Sequence, residues 1–219
     1  MGCQKNRVSA FAWFYVLLLN RLFILVLTMV SFASPAQQLI DAGESEVLYF
    51  FSYKSPGSHA MVNSVAAFEM VHDKYDMPGK MYRIPYVSDD IGLRMAAIAY
   101  FMLKMDADSL YSLAEMEVKA YEVFKSLNIT TEDELVSVLQ SHVFGHKDPV
   151  YLKRLLDDAK VMLRSTVNIN QEVTCSTLPC TRLSSSDDFK LVTLKSSSNS
   201  VKEYWENVSL SLSAISANQ

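Results

Sequence analysis

Residues 46–59 read EVLYFFSYKSPGSH, an apolar run cut off by Ser-Pro-Gly-Ser and followed at once by a helical pattern. A continuous apolar and aromatic stretch such as Glu46 to Phe51 has no polar face to give to water, so it predicts a strand covered on both sides, as in sheets built from crossover connections. The helix that follows presents free N–H groups and a positive dipole end in its first turn, which stabilises an anion such as a thiolate or a phosphate. Ser55 and Ser58 stand where a reactive pair would stand. Serine is equally suited to capping the helix, and capping and binding can coexist.

Beyond the turn, Met61, Val65, Phe68, Val71 and Tyr75 recur at helical spacing until Met77-Pro78-Gly79 ends the segment. Lys80 to Val87 (KMYRIPYV) reads as a second strand, with Pro85 pushing its end toward an edge or a stop. Strand, helix and strand in that order predict a right-handed parallel crossover. Residues 91–167 are helical in pattern almost throughout, in about four segments divided at Asp106 to Asp108, Asn128 to Thr131 and Gly145 to Pro149. Thr131 followed by Glu134 has capping-box spacing, and Asp148-Pro149 puts an N-cap before proline at the first helical position. Leu152, Leu155, Leu156, Ala159 and Leu163 line one face that needs a cover. Residues 168–195 read as a hairpin with its turn at Ser184 to Asp188, and Val201, Trp205, Val208, Leu212 and Ile215 finish the chain as an amphipathic helix. The whole order is that of an α/β thioredoxin fold with an all-helical insertion at about residues 90–167.

The first 36 residues hold Lys5, Arg7 and Arg21 and no acidic residue, and Leu22 to Ala33 is an uninterrupted apolar run of signal-peptide rather than membrane-spanning length. Small residues at Ser31, Ala33, Ser34 and Ala36 favour cleavage after Ala33 or Ala36, leaving a domain at residues 37–219. An uncleaved membrane anchor is the other reading, because Phe11 to Leu19 makes the leader long. Losing it removes three positive charges and no negative ones, from 20 against 24 to 17 against 24. So acidic a chain is a poor partner for nucleic acid. Cys175 and Cys180 then remain as a pair in an oxidising setting, as a structural disulfide or two quiet thiols.

These residues resemble the DsbA family of exported thiol-disulfide oxidoreductases. In that family a strand ending in a phrase such as FFSY leads into Cys-Pro-His-Cys and a helix, then a second strand, a helical insertion, and a cis-proline loop before a hairpin. Val47 to Tyr53 (VLYFFSY) supplies the phrase, Ser55-Pro56-Gly57-Ser58 stands in the place of the cysteine motif, and Leu178-Pro179 matches the cis-proline; the likeness runs from about Glu46 to Ser213. Two departures bear on function. Exchange needs a thiolate attacking sulfur, and no helix dipole worth about 1 kcal/mol makes an alkoxide of serine. The buried acidic residue that the family commonly keeps two positions after the strand valine is here Tyr49.

The resemblance therefore implies a redox-inactive member: an exported, periplasmic or inner-membrane-anchored binding or chaperone-like module. It would need no cofactor and would hold an extended polypeptide or envelope protein against Ser55, Ser58, His59, Leu178 and Pro179. An alternative likeness is to the kappa-class glutathione transferases and the glutathione-dependent 2-hydroxychromene-carboxylate isomerases, in which the first serine holds the thiol of glutathione; Ser55 would take that role. A third reading moves thiol-disulfide chemistry to Cys175 and Cys180 beside Pro179. No metal site is expected: His142 and His146 are i, i+4 but lack the glutamate of a zinc-protease motif, and the 11 methionines suit core gaps. Asn128-Ile-Thr130 and Asn207-Val-Ser209 fit the glycosylation pattern.

Overall fold

The computed structural model describes residues 46–61, 65–75, 77, 79–171, 173–185, 188–193 and 201–216. The expected leader, residues 1–36, lies outside them. Four strands form one sheet in the order β2-β1-β3-β4, comprising β1 (Glu46–Phe51), β2 (Lys80–Pro85), β3 (Cys180–Ser185) and β4 (Asp188–Thr193). Strand β1 is central, parallel to β2 with Glu46 facing Lys80 and antiparallel to β3 with Phe50 facing Cys180. Val47 to Phe51 are buried, as a strand without a polar face requires. Strand β2 stops at Pro85, two residues short of the sequence expectation, level with the end of β1 at Phe51, and the Tyr86 N–H still donates to the Phe51 carbonyl at 2.8 Å. The hairpin is tighter than expected, since Ser185 and Asp188 still pair.

Between β1 and β2 the helical pattern is taken up by α1 (Pro56–Met61) and α2 (Val65–Lys74), so the helix begins at the motif proline rather than at His59. Phe68 and Val71 are buried on its core face; the side chains of Met61 and Val65 lie outside the description.

The insertion consists of α3 (Ile91–Asp106), α4 (Leu110–Ser126), α5 (Glu132–Leu139) with a π-helical turn at Gln140–Phe144, and α6 (Pro149–Gln171). Helix α3 is buried on every side from Met95 to Leu103, the mark of a helix in the middle of a bundle. Both expected starts carry caps. Thr131 and Glu134 exchange side-chain and backbone hydrogen bonds, and Asp148 accepts from the Val150 N–H at 2.9 Å. Leu152, Leu155, Leu156, Ala159 and Leu163 are all buried.

Helix α6 runs four residues past the expected end, and the extra turn has a task. Asn170 accepts from the Val87 N–H at 2.9 Å and donates to the Pro85 carbonyl at 3.3 Å, so the insertion grips the chain where β2 ends. The final helix, α7 (Val201–Ser216), packs Tyr204, Trp205, Val208 and Leu212 into the core. Val201, counted on that face from spacing, is 38% exposed, while Tyr204 is the buried residue of the first turn.

Candidate functional site

The Ser-Pro-Gly-Ser turn is closed upon itself and upon the proline loop. Ser55 accepts at Oγ from the Ser58 N–H at 3.3 Å and donates from the same hydroxyl to the Leu178 carbonyl at 2.8 Å. Ser55 is thus both the cap of α1 and its link to the loop 123 residues away. Ser58 is 2% exposed and points away from the surface, its Oγ accepting from the Ser52 N–H at 3.2 Å. The Leu178–Pro179 peptide bond is cis, Pro179 is buried, and a disulfide joins Cys175 to Cys180 across the same loop. Of the five residues expected to line a groove, the structure brings Ser55, Leu178 and His59 to the half-buried rim and withdraws Ser58 and Pro179 beneath it.

Tyr121, which the sequence reading overlooked, clamps the turn from the side of the insertion. Its hydroxyl donates to the Ser55 carbonyl and accepts from the His59 N–H at 3.2 Å, and its ring lies 4.0 Å from the His59 imidazole. Burial pushes its phenol above the ordinary value, against the His59 hydrogen bond, which favours the phenolate.

Under the turn lies a buried ionic cluster. Arg83 of β2 donates from one guanidinium nitrogen to both oxygens of Glu117 on α4, at 2.6 and 2.8 Å, while the Tyr53 hydroxyl donates to Glu117 at 2.8 Å. The Arg83 and Glu117 side chains are 6% and 1% exposed, and the guanidinium lies 3.9 Å from the Phe51 ring centre. Burial disfavours the Arg83 charge, but the Glu117 carboxylate beside it more than restores it and raises its pKa. Tyr53 is pushed well up, first by burial and then by Glu117. The signal for Glu117 was present in the sequence: it is the one acidic residue on the stripe Leu113, Glu117, Ala120, Tyr121 and Phe124, all of it buried.

Tyr49 is fully buried against Phe68 and Trp205, with ring centres at 5.4 and 5.3 Å. Burial first, then neighbouring Tyr204, holds its phenol well above its ordinary value. A neutral phenol packed among aromatic rings is no proton carrier at neutral pH. His142 and His146 are exposed, and no group of three His, Cys, Asp or Glu that could hold a metal occurs among the described residues.

On the α4 side of the turn opens a groove of about 500 Å³, walled by Tyr53, Pro56, Tyr121, Phe124 and Leu127, with His59 and Lys54 at its margin. It is a different surface from the cis-proline face, sharing only His59 with the residues expected there.

No protein-family model matches the sequence, and no curated protein matches it. Solved structures do match its fold. The DsbA oxidoreductase of Xylella fastidiosa is similar at a TM-score of 0.56 and 14% identity, over 80% of this chain and 88% of that one. The oxidoreductase NmDsbA1 from N. meningitidis is similar at 0.55 and 13%, over 82% and 87%. An oxidized DsbA1 mutant gives 0.55 and 13%, over 82% and 90%. Such identities establish the fold, which is the thioredoxin fold with a helical insertion in its DsbA-like form.

Proposed function

We propose that this is an exported, DsbA-like module that binds polypeptide without exchanging disulfides, its dithiol replaced by a serine pair. The observation that carries the reading is the hydroxyl of Ser55, bound at once to the Ser58 N–H and the Leu178 carbonyl. A hydroxyl whose proton is given to a carbonyl, with no base hydrogen-bonded to it among the described residues, acts as a tie between helix and loop. Attack on sulfur requires a thiolate, which serine cannot supply. The surface that remains is the edge formed by Ser55, His59 and Leu178, where an extended segment would lie along the proline loop. The occupied Ser55 hydroxyl also argues against its holding the thiol of glutathione.

A second reading rests on the Cys175–Cys180 disulfide, which flanks the proline loop and could itself be the redox pair. It lacks the helix terminus that activates the usual cysteine, since Cys180 opens a strand. Incubation with scrambled ribonuclease and with reduced insulin separates the readings. The natural protein is expected to be inactive in both, Ser55→Cys with Ser58→Cys to gain exchange, and Cys175→Ser with Cys180→Ser to change nothing. Activity in the natural protein that disappears with Cys175 and Cys180 would overturn the binding reading in favour of the second.

A further inference from the structure

The proline loop is fastened to the domain at both ends. At its start the buried Val173 donates its N–H to the Asn170 carbonyl at 3.1 Å; at its end the wholly buried Cys180 opens β3, facing Phe50 of β1 and Thr193 of β4. Between them the chain runs along the surface, with Thr174, Ser176 and Thr177 exposed and Cys175 and Leu178 half-buried. The Ser55 hydroxyl and the disulfide both draw this stretch onto the site. Ser55 donates to the Leu178 carbonyl at 2.8 Å, and the disulfide joins Cys175 to Cys180 with their Cα atoms 6.0 Å apart. That link closes Ser176-Thr177-Leu178-Pro179 into a ring, so Leu178, which meets Ser55, lies inside it. A ring this small leaves its backbone few conformations, and so keeps the Leu178 carbonyl within reach of the hydroxyl.

The two cysteines are not equivalent. Cys180 is buried in the sheet, whereas Cys175 lies on the half-buried surface of the loop. A thiol attacks the disulfide sulfur that it can reach, and disulfides open to solvent are the labile ones. An attacking thiol from outside supplies its own thiolate. The missing helix terminus, which weakens this pair as a catalytic dithiol, is therefore no obstacle to its being reduced.

We propose that the Cys175–Cys180 disulfide is a redox latch on the binding edge, closed when oxidised and opened by a small dithiol that enters at Cys175. One thiolate of the dithiol attacks the Cys175 sulfur, the Cys175–Cys180 bond breaks, and the Cys180 sulfur leaves with the electron pair and takes up a proton. The second thiol of the reductant then displaces Cys175, which is protonated in turn. The dithiol ends as its own disulfide, and its two protons end on the two cysteines. Once open, the ring no longer fixes Leu178 against Ser55, and an extended segment lying along the loop must order the loop as it binds, which lowers affinity. The inference rests on the polypeptide-binding reading above and adds its regulation; it requires no disulfide exchange with the polypeptide.

The test measures binding of fluorescein-labelled, S-carboxymethylated ribonuclease, an unfolded chain without a free thiol, to the protein when oxidised, reduced with dithiothreitol and reoxidised. Circular dichroism and the amide resonances of Ser55, Ser58 and Leu178 are followed alongside. Reduction is expected to weaken binding reversibly by about tenfold, to shift those resonances and to leave the helical signal unchanged. With limiting iodoacetamide present during reduction, Cys175 is expected to be alkylated before Cys180. Cys175→Ser with Cys180→Ser is expected to bind as the reduced protein does and to ignore dithiothreitol. Ser55→Ala is expected to lose less affinity on reduction than the natural protein, because the link through which the ring acts is already gone. Equal affinity in the oxidised and reduced protein, Cys180 alkylated first, loss of helix on reduction, or an equal fall in Ser55→Ala would each overturn the latch. Binding in neither state would overturn the polypeptide reading and the latch with it, whereas equal binding in both states overturns the latch alone, so the two failures are told apart.

Discussion

Glu117 is the residue whose loss the fold should feel most. It carries the counter-charge for Arg83 and the acceptor for Tyr53, with both charged side chains almost wholly out of water. Breaking a buried pair from one side strands the other charge, so Glu117→Ala is expected to cost about 3–5 kcal/mol in urea unfolding. Removing the whole cluster with Arg83→Met, Glu117→Met and Tyr53→Phe is expected to recover most of that, because the stranded charge is removed with its partner. A triple variant as unstable as Glu117→Ala would mean that the cluster holds the turn by more than its charges. Tyr121 illustrates the same scale from the other side. A tyrosine at a helix position predicts burial, whereas its grip on both Ser55 and His59 follows only when α4 is laid beside α1.

Among the elements, α5 shows most directly how far local rules reach. Its capping box was legible as Thr131 and Glu134, and the folded helix has Glu134 accepting from the N–H groups of Thr130 and Thr131 at 2.9 and 3.1 Å. Those bonds favour the carboxylate and lower its pKa, the Thr130 bond first. A depressed carboxylate stabilises the helix start above its unfolded value of about 4.3, and the contribution is lost as pH falls through the lower folded value. The amides of Thr130 and Thr131 are therefore expected to lose exchange protection in acid, and Glu134→Gln to remove that pH dependence. Identical pH profiles in the two proteins would assign the protection to the backbone alone. Helix α6 overran its expected end because Asn170 answers a need of β2, and nothing within six residues of Asn170 signals that.

For the whole molecule, burial has gathered a set of tyrosines that must stay neutral. Tyr49, Tyr53, Tyr100, Tyr121 and Tyr204 all have raised pKa values with burial as the largest cause, Tyr100 reaching about 12. Each favours the folded state fully below the unfolded tyrosine value of about 10, and that advantage disappears as pH rises through the folded value. Unfolding is expected to set in steeply above about pH 10, with tyrosinate absorbance and loss of helical circular dichroism rising together. Gradual tyrosine ionisation in a protein that stays helical would contradict the burial. The sequence by itself determined the order of strands and helices, the starts of α5 and α6 and the buried face of α6, because periodicity, caps and proline act within a few residues. It also placed the serine pair at a strand-to-helix turn and paired Cys175 with Cys180 as candidates. Only the tertiary structure decided that Ser55 ties to Leu178, that Ser58 turns inward to Ser52, and that Arg83 and Glu117 meet. Those contacts join residues six to 123 positions apart, and their energy depends on distance and burial that no local pattern encodes.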